Sequence, residues 1–329
     1  MPALIGIPRV FLYYTFFPMW KTFFTALGAE VIVSPVTTKQ ILDRGVRMAE
    51  DETCLPVKLA FGHTESLRSK ADFLFLPRYK SLEARRYMCP KIIGLPDMLG
   101  RNLAGLPPIL SPEISITQDP GALRKAFSSI ARSLGAREPD IGKAYRLALE
   151  ELDRYRRLIQ DGWHPEEANN RLLGRASRGP SNHALKVAVI GHSYVSCDPH
   201  ISMDLLKRLE DMGAAPMISD MVPQEELDRR LSSLRKDLFW TFGRRLLGAG
   251  FHFAARPDCQ GIILLSAFGC GSDSLIEPYV VNAARGRVPL LNLTVDEHSG
   301  EAGLVTRLEA FLDMIRRRKR FENHVPAHG

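Results

Sequence analysis

Short apolar runs alternate with longer amphipathic stretches along most of the chain. Leu4 to Ile7 is a strand-length apolar run, followed by an aromatic-rich stretch that predicts a helix ending near Gly28. Val31 to Val33 reads as the next strand, and Thr37 and Thr38 give a polar opening to a helix through Ile41, Leu42 and Val46. Ala71 to Leu76 is an apolar strand stopped by Pro77, and helices are expected from Ala122 to Leu134 and from Ile141 to Ile159. The latter is charged on most faces, which suits an exposed or inter-domain helix.

The stretch Gly174 to His183 is rich in Gly, Arg and Ser and reads as a linker. Behind it the pattern restarts. Leu185 to Ile190 is a buried-strand run ending in Gly191; a helix through Met203, Leu206 and Leu209 follows, closed by Gly213. Pro216 to Ser219, Ile262 to Leu265 and Pro289 to Leu293 are further strands, and a helix from Gly303 to Arg318 closes the pattern. Strands alternating with helices imply mostly parallel sheets covered on both faces. The expectation is an α/β protein with two Rossmann-like (flavodoxin-like) domains: residues 1–173, a linker at 174–184, and residues 185–329.

Composition changes this picture little. The 329 residues are 45% hydrophobic and 25% charged, as in globular proteins with room for two cores. No apolar run is long enough to span a bilayer, and the first residues lack the layout of a secretory signal, so a cytoplasmic protein without a membrane partner is expected. The net charge of +7 raises nucleic-acid binding, but much of the excess sits in Arg316, Arg317, Arg318, Lys319 and Arg320. Cations closing a helix oppose the negative end of its dipole and need no ligand. No nucleic-acid-binding motif accompanies them, so that partner is not expected.

The candidate chemistry lies in the cysteines. In a reducing compartment the five cysteines are either buried apolar residues or metal and redox ligands. Cys54 (in DETCLPVK), Cys89 (YMCPK) and Cys270 (FGCGSDS) each stand just before a predicted helix. Pro56 and Pro90 suit the first helical turn, and Gly269 and Gly271 allow close approach of the backbone to a bulky group. Helix N-termini carry partial positive charge that favours thiolates. The same three residues also fit a bland reading as core cysteines, since free Cys is among the most buried residue types. Cys259 is expected to be a buried thiol, and His63, inside an apolar helix, a satisfied core histidine. Cys197, in GHSYVSCDPH, is open: a fourth ligand to the same centre, a ligand to a second metal, or neither. Glu52, Glu277, His192 and His298 are candidate acid–base groups. Glu277 lies two helical turns beyond Cys270, while His192 and His298 follow strands at the edge where such sheets bind ligands. No phosphate-binding glycine motif is present, so nucleotide hydrolysis by this chain is not expected.

The segments DETCLPVKLAFGH, CPKIIGLPDM, FGCGSDS and VDEHSGEAGLVTRLEAF resemble the iron–sulfur component of the 2-hydroxyacyl-CoA dehydratases. They are closer still to the acyl-CoA dehydratase-related proteins associated with the dehydratase activases. The resemblance runs from Ile5 to the final helix. It implies a [4Fe-4S] cluster at the domain interface, with Cys54 and Cys89 matching the first two ligands and Cys270 the third. It further implies an ATP-dependent activase as electron donor, a CoA-thioester substrate, and a homo- or heterodimer. Three cysteines leave one iron of a cubane open. Closed structural zinc sites use four ligands, which makes zinc the weaker reading. A non-catalytic iron–sulfur carrier or scaffold for the activase is the alternative function.

Overall fold

The computed structural model describes residues 2–324, with side chains through Arg318. The side chains of Lys319 and Arg320 therefore lie outside the described residues. In chain order the first half comprises β1 (Leu4–Ile7), α1 (Tyr13–Ala26), β2 (Glu30–Val33), α2 (Lys39–Met48), α3 (Leu55–Glu65), β3 (Phe73–Phe75), β4 (Arg78–Ser81), α4 (Pro90–Ile93), α5 (Leu95–Asn102), β5 (Ile109–Leu110), β6 (Glu113–Ser115), α6 (Ala122–Ser133), α7 (Glu138–Gln160) and α8 (Pro165–Leu172). Residues 174–184 carry no strand or helix. The second half comprises β7 (Leu185–Ile190), α9 (Ser193–Ser196), α10 (Leu205–Asp211), β8 (Ala214–Ile218), α11 (Gln224–Leu231), α12 (Thr241–Ala254), β9 (Gly261–Ala267), α13 (Gly271–Ala284), β10 (Leu290–Val295) and α14 (Glu301–His324).

Two four-stranded parallel sheets result, ordered β2-β1-β3-β5 and β10-β9-β7-β8. Counted from its own first strand, each runs 2-1-3-4, the flavodoxin-like order, so each half has a switch point between its first and third strands. The expected α/β class with two Rossmann-like halves is what the chain forms. The strand ending at Pro77 is only an interruption: Arg78–Ser81 resumes as β4 and pairs in parallel with β6 in a separate two-stranded sheet. The charged α7 is anchored, not free-standing. Ile141, Ala144, Ala148, Leu152, Tyr155 and Ile159 form a helical stripe packed into the first core, while the charges face outward.

That first core is aromatic. Trp20 stacks on Phe127 at 4.4 Å and leans on Phe75 at 4.5 Å, while its indole N–H donates to the Tyr79 hydroxyl at 2.7 Å. The second sheet has two apolar layers, one on each face. One of them includes Leu42, Leu55 and Leu59 from α2 and α3.

Helix α3 explains how the halves meet. Its sequence LPVKLAFGHTE is apolar nearly all round, the pattern of a helix buried on every side. Val57, Ala60 and Phe61 join the first core, whereas Leu55 and Leu59 join a core of the second sheet. Polar contacts lock the seam. Buried Lys58 pairs with Glu297 beyond β10, and Asp198 accepts from Thr37 and, at 3.3 Å, from the Tyr14 hydroxyl. Thr37 also bonds His63 Nε2 at 2.9 Å, and Ser34 bonds His63 Nδ1 at 2.8 Å, so His63 is the satisfied core histidine expected. Burial, with a smaller contribution from the charge of Arg9, lowers its pKa to about 3.

Candidate metal centre

Each of the three cysteines is the N-cap of a helix: Cys54 of α3, Cys89 of α4 and Cys270 of α13. Proline follows within the first turn of α3 and α4, where its missing N–H leaves no bond unmade. The third cysteine sits just past β9, beside the end of β7 at the switch point of the second sheet. Gly269 takes φ +76°, which a side chain would strain, and its missing Cβ would stand 3.4 Å from Cys54 Cα. The Cys270 loop therefore rests on the Cys54 backbone across the seam. Lys91, two residues after Cys89, reaches the Glu52 carbonyl at 3.5 Å and ties the first two cysteine loops together.

The thiols act on one another electrostatically. Cys54 feels the charges of Cys270 and Cys89, and so does Tyr194, whose buried hydroxyl is lifted well above its ordinary pKa chiefly by burial. All five cysteines are free. The helix dipole was expected to lower the thiol pKa values. At Cys54 burial dominates and lifts the thiol to about 11, against the lowering effects of the Val57 N–H and the Lys91 charge.

His192 and Asp273 complete the second half's side of the centre. Both are 4% exposed. His192 Nε2 lies 2.9 Å from Asp273 Oδ1 and 3.4 Å from Ser272 Oγ, which in turn is 3.3 Å from Cys270 Sγ. One donor atom each from His192, Cys270 and Asp273 falls within 4.8 Å of the other two. The His192–Asp273 contact is a buried ion pair by distance, although Asp273 Oδ1 makes no hydrogen bond of regular geometry. Oδ2 of the same carboxylate accepts the Ala267 N–H at 3.3 Å. Burial disfavours a charged imidazole, yet the Asp273 carboxylate and Cys270 outweigh it and lift the His192 pKa to about 10. The ring is clamped, stacked on Tyr194 at 4.7 Å with Phe242 edge-on at 5.8 Å. Phe11 packs edge-on to Tyr194 at 5.0 Å and holds a positive φ of 47°. That backbone conformation is rare for a bulky residue and is found at sites where surrounding packing enforces it.

The other candidates scatter. Cys197 caps the end of α9 beside Ser196 and lines a separate cavity of about 240 Å³ with Arg9, Tyr14, His164 and Glu166. Burial pushes its thiol pKa up. Glu277 accepts a hydrogen bond from Asn292 on β10. Glu52 and His298 are exposed, and the backbone N–H of His298 donates to Asp296. Cys259 is the buried thiol expected and donates to the Gly261 carbonyl at 3.3 Å. Tyr194, Asp273, Phe11 and Phe242 join the centre without having been singled out. Only Asp273 carried a signal, as an acid in the first turn after Cys270. Phe242 also lines a cleft of about 380 Å³ between the halves, with Tyr14, Arg156, Arg245 and Thr241.

Fold and site define a class: a two-sheet α/β protein with three thiols, a buried imidazole and a buried carboxylate gathered at the seam. The chain belongs to the family described as CoA enzyme activase uncharacterised domain (DUF2229), which matches residues 4–222. The matched span includes Cys54, Cys89 and Cys197 but ends before Cys270. No curated protein matches the chain. No helix among the described residues is long and apolar enough to cross a membrane.

Proposed function

We propose that this chain is an iron–sulfur protein in which Cys54, Cys89 and Cys270 hold a [4Fe-4S] cluster, in the manner of the 2-hydroxyacyl-CoA dehydratases. The reading is supported by three free thiols, each at a helix N-cap, two from the first half and one from the second, with Cys54 feeling the charges of the other two. Soft thiolate donors suit iron–sulfur or zinc sites, and the resemblance to the dehydratase iron–sulfur component favours the cubane. When bound, such a cluster supplies a low-potential one-electron centre with one iron free of thiolate. The chain's own part is to hold the donors: N-terminal N–H groups offset thiolate charge, Lys91 adds a cation, and Gly269 and Gly271 keep side chains off the cradle.

In this reading an ATP-dependent activase delivers the electron, a CoA thioester is reduced or dehydrated, and the chain pairs with a second subunit of its own kind or a similar one. The division into residues 1–173, a linker at 174–184 and residues 185–329 belongs to the same proposal. The alternative is a non-catalytic carrier or scaffold for the activase. The cleft lined by Phe242, whose ring stands edge-on to His192, offers space for a substrate near the site and supports the catalytic form.

Anaerobic reconstitution tests the reading. Brown protein with about four irons and four sulfides per chain is expected, and a Cys→Ser change at position 54, 89 or 270 lowers that content. Colourless, iron-free protein would refute it. A CoA thioester that alters the resonance of the reduced cluster separates the catalytic form from the carrier.

A further inference from the structure

We infer that the cleft between the two halves is a binding site for a small molecule carrying a phosphate or carboxylate group, held by Arg156 from the first half and by Arg245 and Thr241 from the second. The inference stands on the cleft's own side chains and does not need the cluster.

Four observations converge. The cleft, about 380 Å³, has room for a small molecule beyond the anionic group itself. Two arginines line it from different halves, Arg156 on α7 and Arg245 on α12. Partial desolvation and then the charge of Arg245 lower the Arg156 pKa, the direction expected where cations crowd one another. An oxyanion shared between the two relieves that repulsion, and the guanidinium fork matches its geometry. Thr241 is 6% exposed, and its hydroxyl is buried without a hydrogen-bond partner. An unpaired buried hydroxyl is costly, and an anionic oxygen in the cleft removes the cost. Finally, Thr241 opens α12, 14 residues long, whose start no side chain caps, so the positive end of that helix dipole lies at the same wall.

The acidic side chains of the lining are engaged elsewhere. Asp220 accepts a hydrogen bond from Ser193, and Glu83 pairs with Arg86. Glu225 lies in the first turn of α11, where its charge offsets the dipole of that helix. Arg245 comes no nearer to Asp220 than 3.6 Å, too far for a hydrogen bond, so its donors are available to a ligand. A bound anion would therefore tie α7 of the first half to α12 of the second.

Isothermal titration of the full-length protein with inorganic pyrophosphate and, separately, with succinate tests the site. Saturable binding that also raises Tm is expected; pyrophosphate marks a phosphate-bearing ligand and succinate a carboxylate-bearing one. Arg156→Gln and Arg245→Gln each weaken binding roughly tenfold or more, and Thr241→Val about fivefold. Arg154→Gln, on the exposed face of α7 and outside the cleft lining, leaves the affinity unchanged. If neither anion binds, the inference is overturned, and the iron content still judges the cluster reading separately. Binding that survives loss of both arginines, or that falls as much with Arg154→Gln as with Arg156→Gln, overturns it as well. Arg156 is an exposed residue, so its replacement leaves the core intact and a folding defect at Arg245 does not shield the inference.

Discussion

Gly62→Ala probes the helix contact that places Cys54. Helices α2 and α3 cross backbone to backbone: a Cβ on Gly62 would stand 2.1 Å from the Ile41 carbonyl oxygen, and one on Gly45 would stand 2.0 Å from the Lys58 carbonyl oxygen. Real Cβ contacts essentially never fall below 3.0 Å, so the helices must part by about 1 Å. The opposing atom is backbone and cannot rotate away. Overpacking of this kind costs about 3 kcal/mol, the upper end of the usual range. Alanine regains about 1 kcal/mol of helix propensity, leaving a net loss of about 2 kcal/mol. For a domain of this size that lowers Tm by roughly 4–8 °C. Because α3 begins at Cys54, the displacement also reaches the proposed cluster site, and under the cluster reading reconstituted iron content falls with stability. The control is Gly142→Ala, on the exposed face of α7 with nothing within 4 Å of the new methyl group. It should gain up to about 1 kcal/mol. Thermal unfolding followed by circular dichroism reads both changes. If Gly62→Ala melts at or above the wild-type temperature, the close helix crossing is not what sets the position of α3.

Two further predictions follow from the seam. Lys58→Met strands Glu297, whose side chain is only 17% exposed and whose pKa is lowered in part by its bond to Lys58. A loss of about 2–3 kcal/mol in urea unfolding is expected, and Glu297→Leu added to Lys58→Met recovers most of it. A double variant no more stable than the single one would show that the pair does not act as a unit. His63 tests pH dependence. Its folded pKa of about 3 lies below the ordinary value near 6.5, so the unfolded chain binds the extra proton first. The stability it contributes is full above about pH 6.5 and drains away as the pH falls towards 3. Relative to His63→Gln, the wild type should therefore lose stability between pH 7 and pH 4, and parallel curves would contradict the burial argument.

Much of the centre was legible because its signals are local. Proline after Cys54 and Cys89, and glycine around Cys270, mark helix starts whatever the rest of the fold does, and all three cysteines are N-caps. The α/β class and the parallel sheets follow from the alternation of apolar runs with amphipathic stretches, whereas the 2-1-3-4 order is set by tertiary pairing, and β4, β5, β6, α5, α8, α9, α11 and α12 were not singled out. These elements are short, polar, or shaped by contacts such as the backbone pairing of Tyr87 with Trp240. Asp273, Tyr194 and Phe11 escaped for a different reason. Their roles come from neighbours far away in the chain, and the positive φ of Phe11 leaves no trace in its residue type.

The sequence by itself determined the elements and the thiols at their ends, because caps, prolines and hydrophobic periodicity act over a few residues. Only the tertiary structure decided that a helix apolar nearly all round would lie between two cores and carry Cys54 to Gly269. It also decided that burial at Cys54 would outweigh the helix dipole, and that His192 would meet Asp273 beside Cys270. Desolvation and long-range contacts depend on what packs against a residue, which local sequence does not encode.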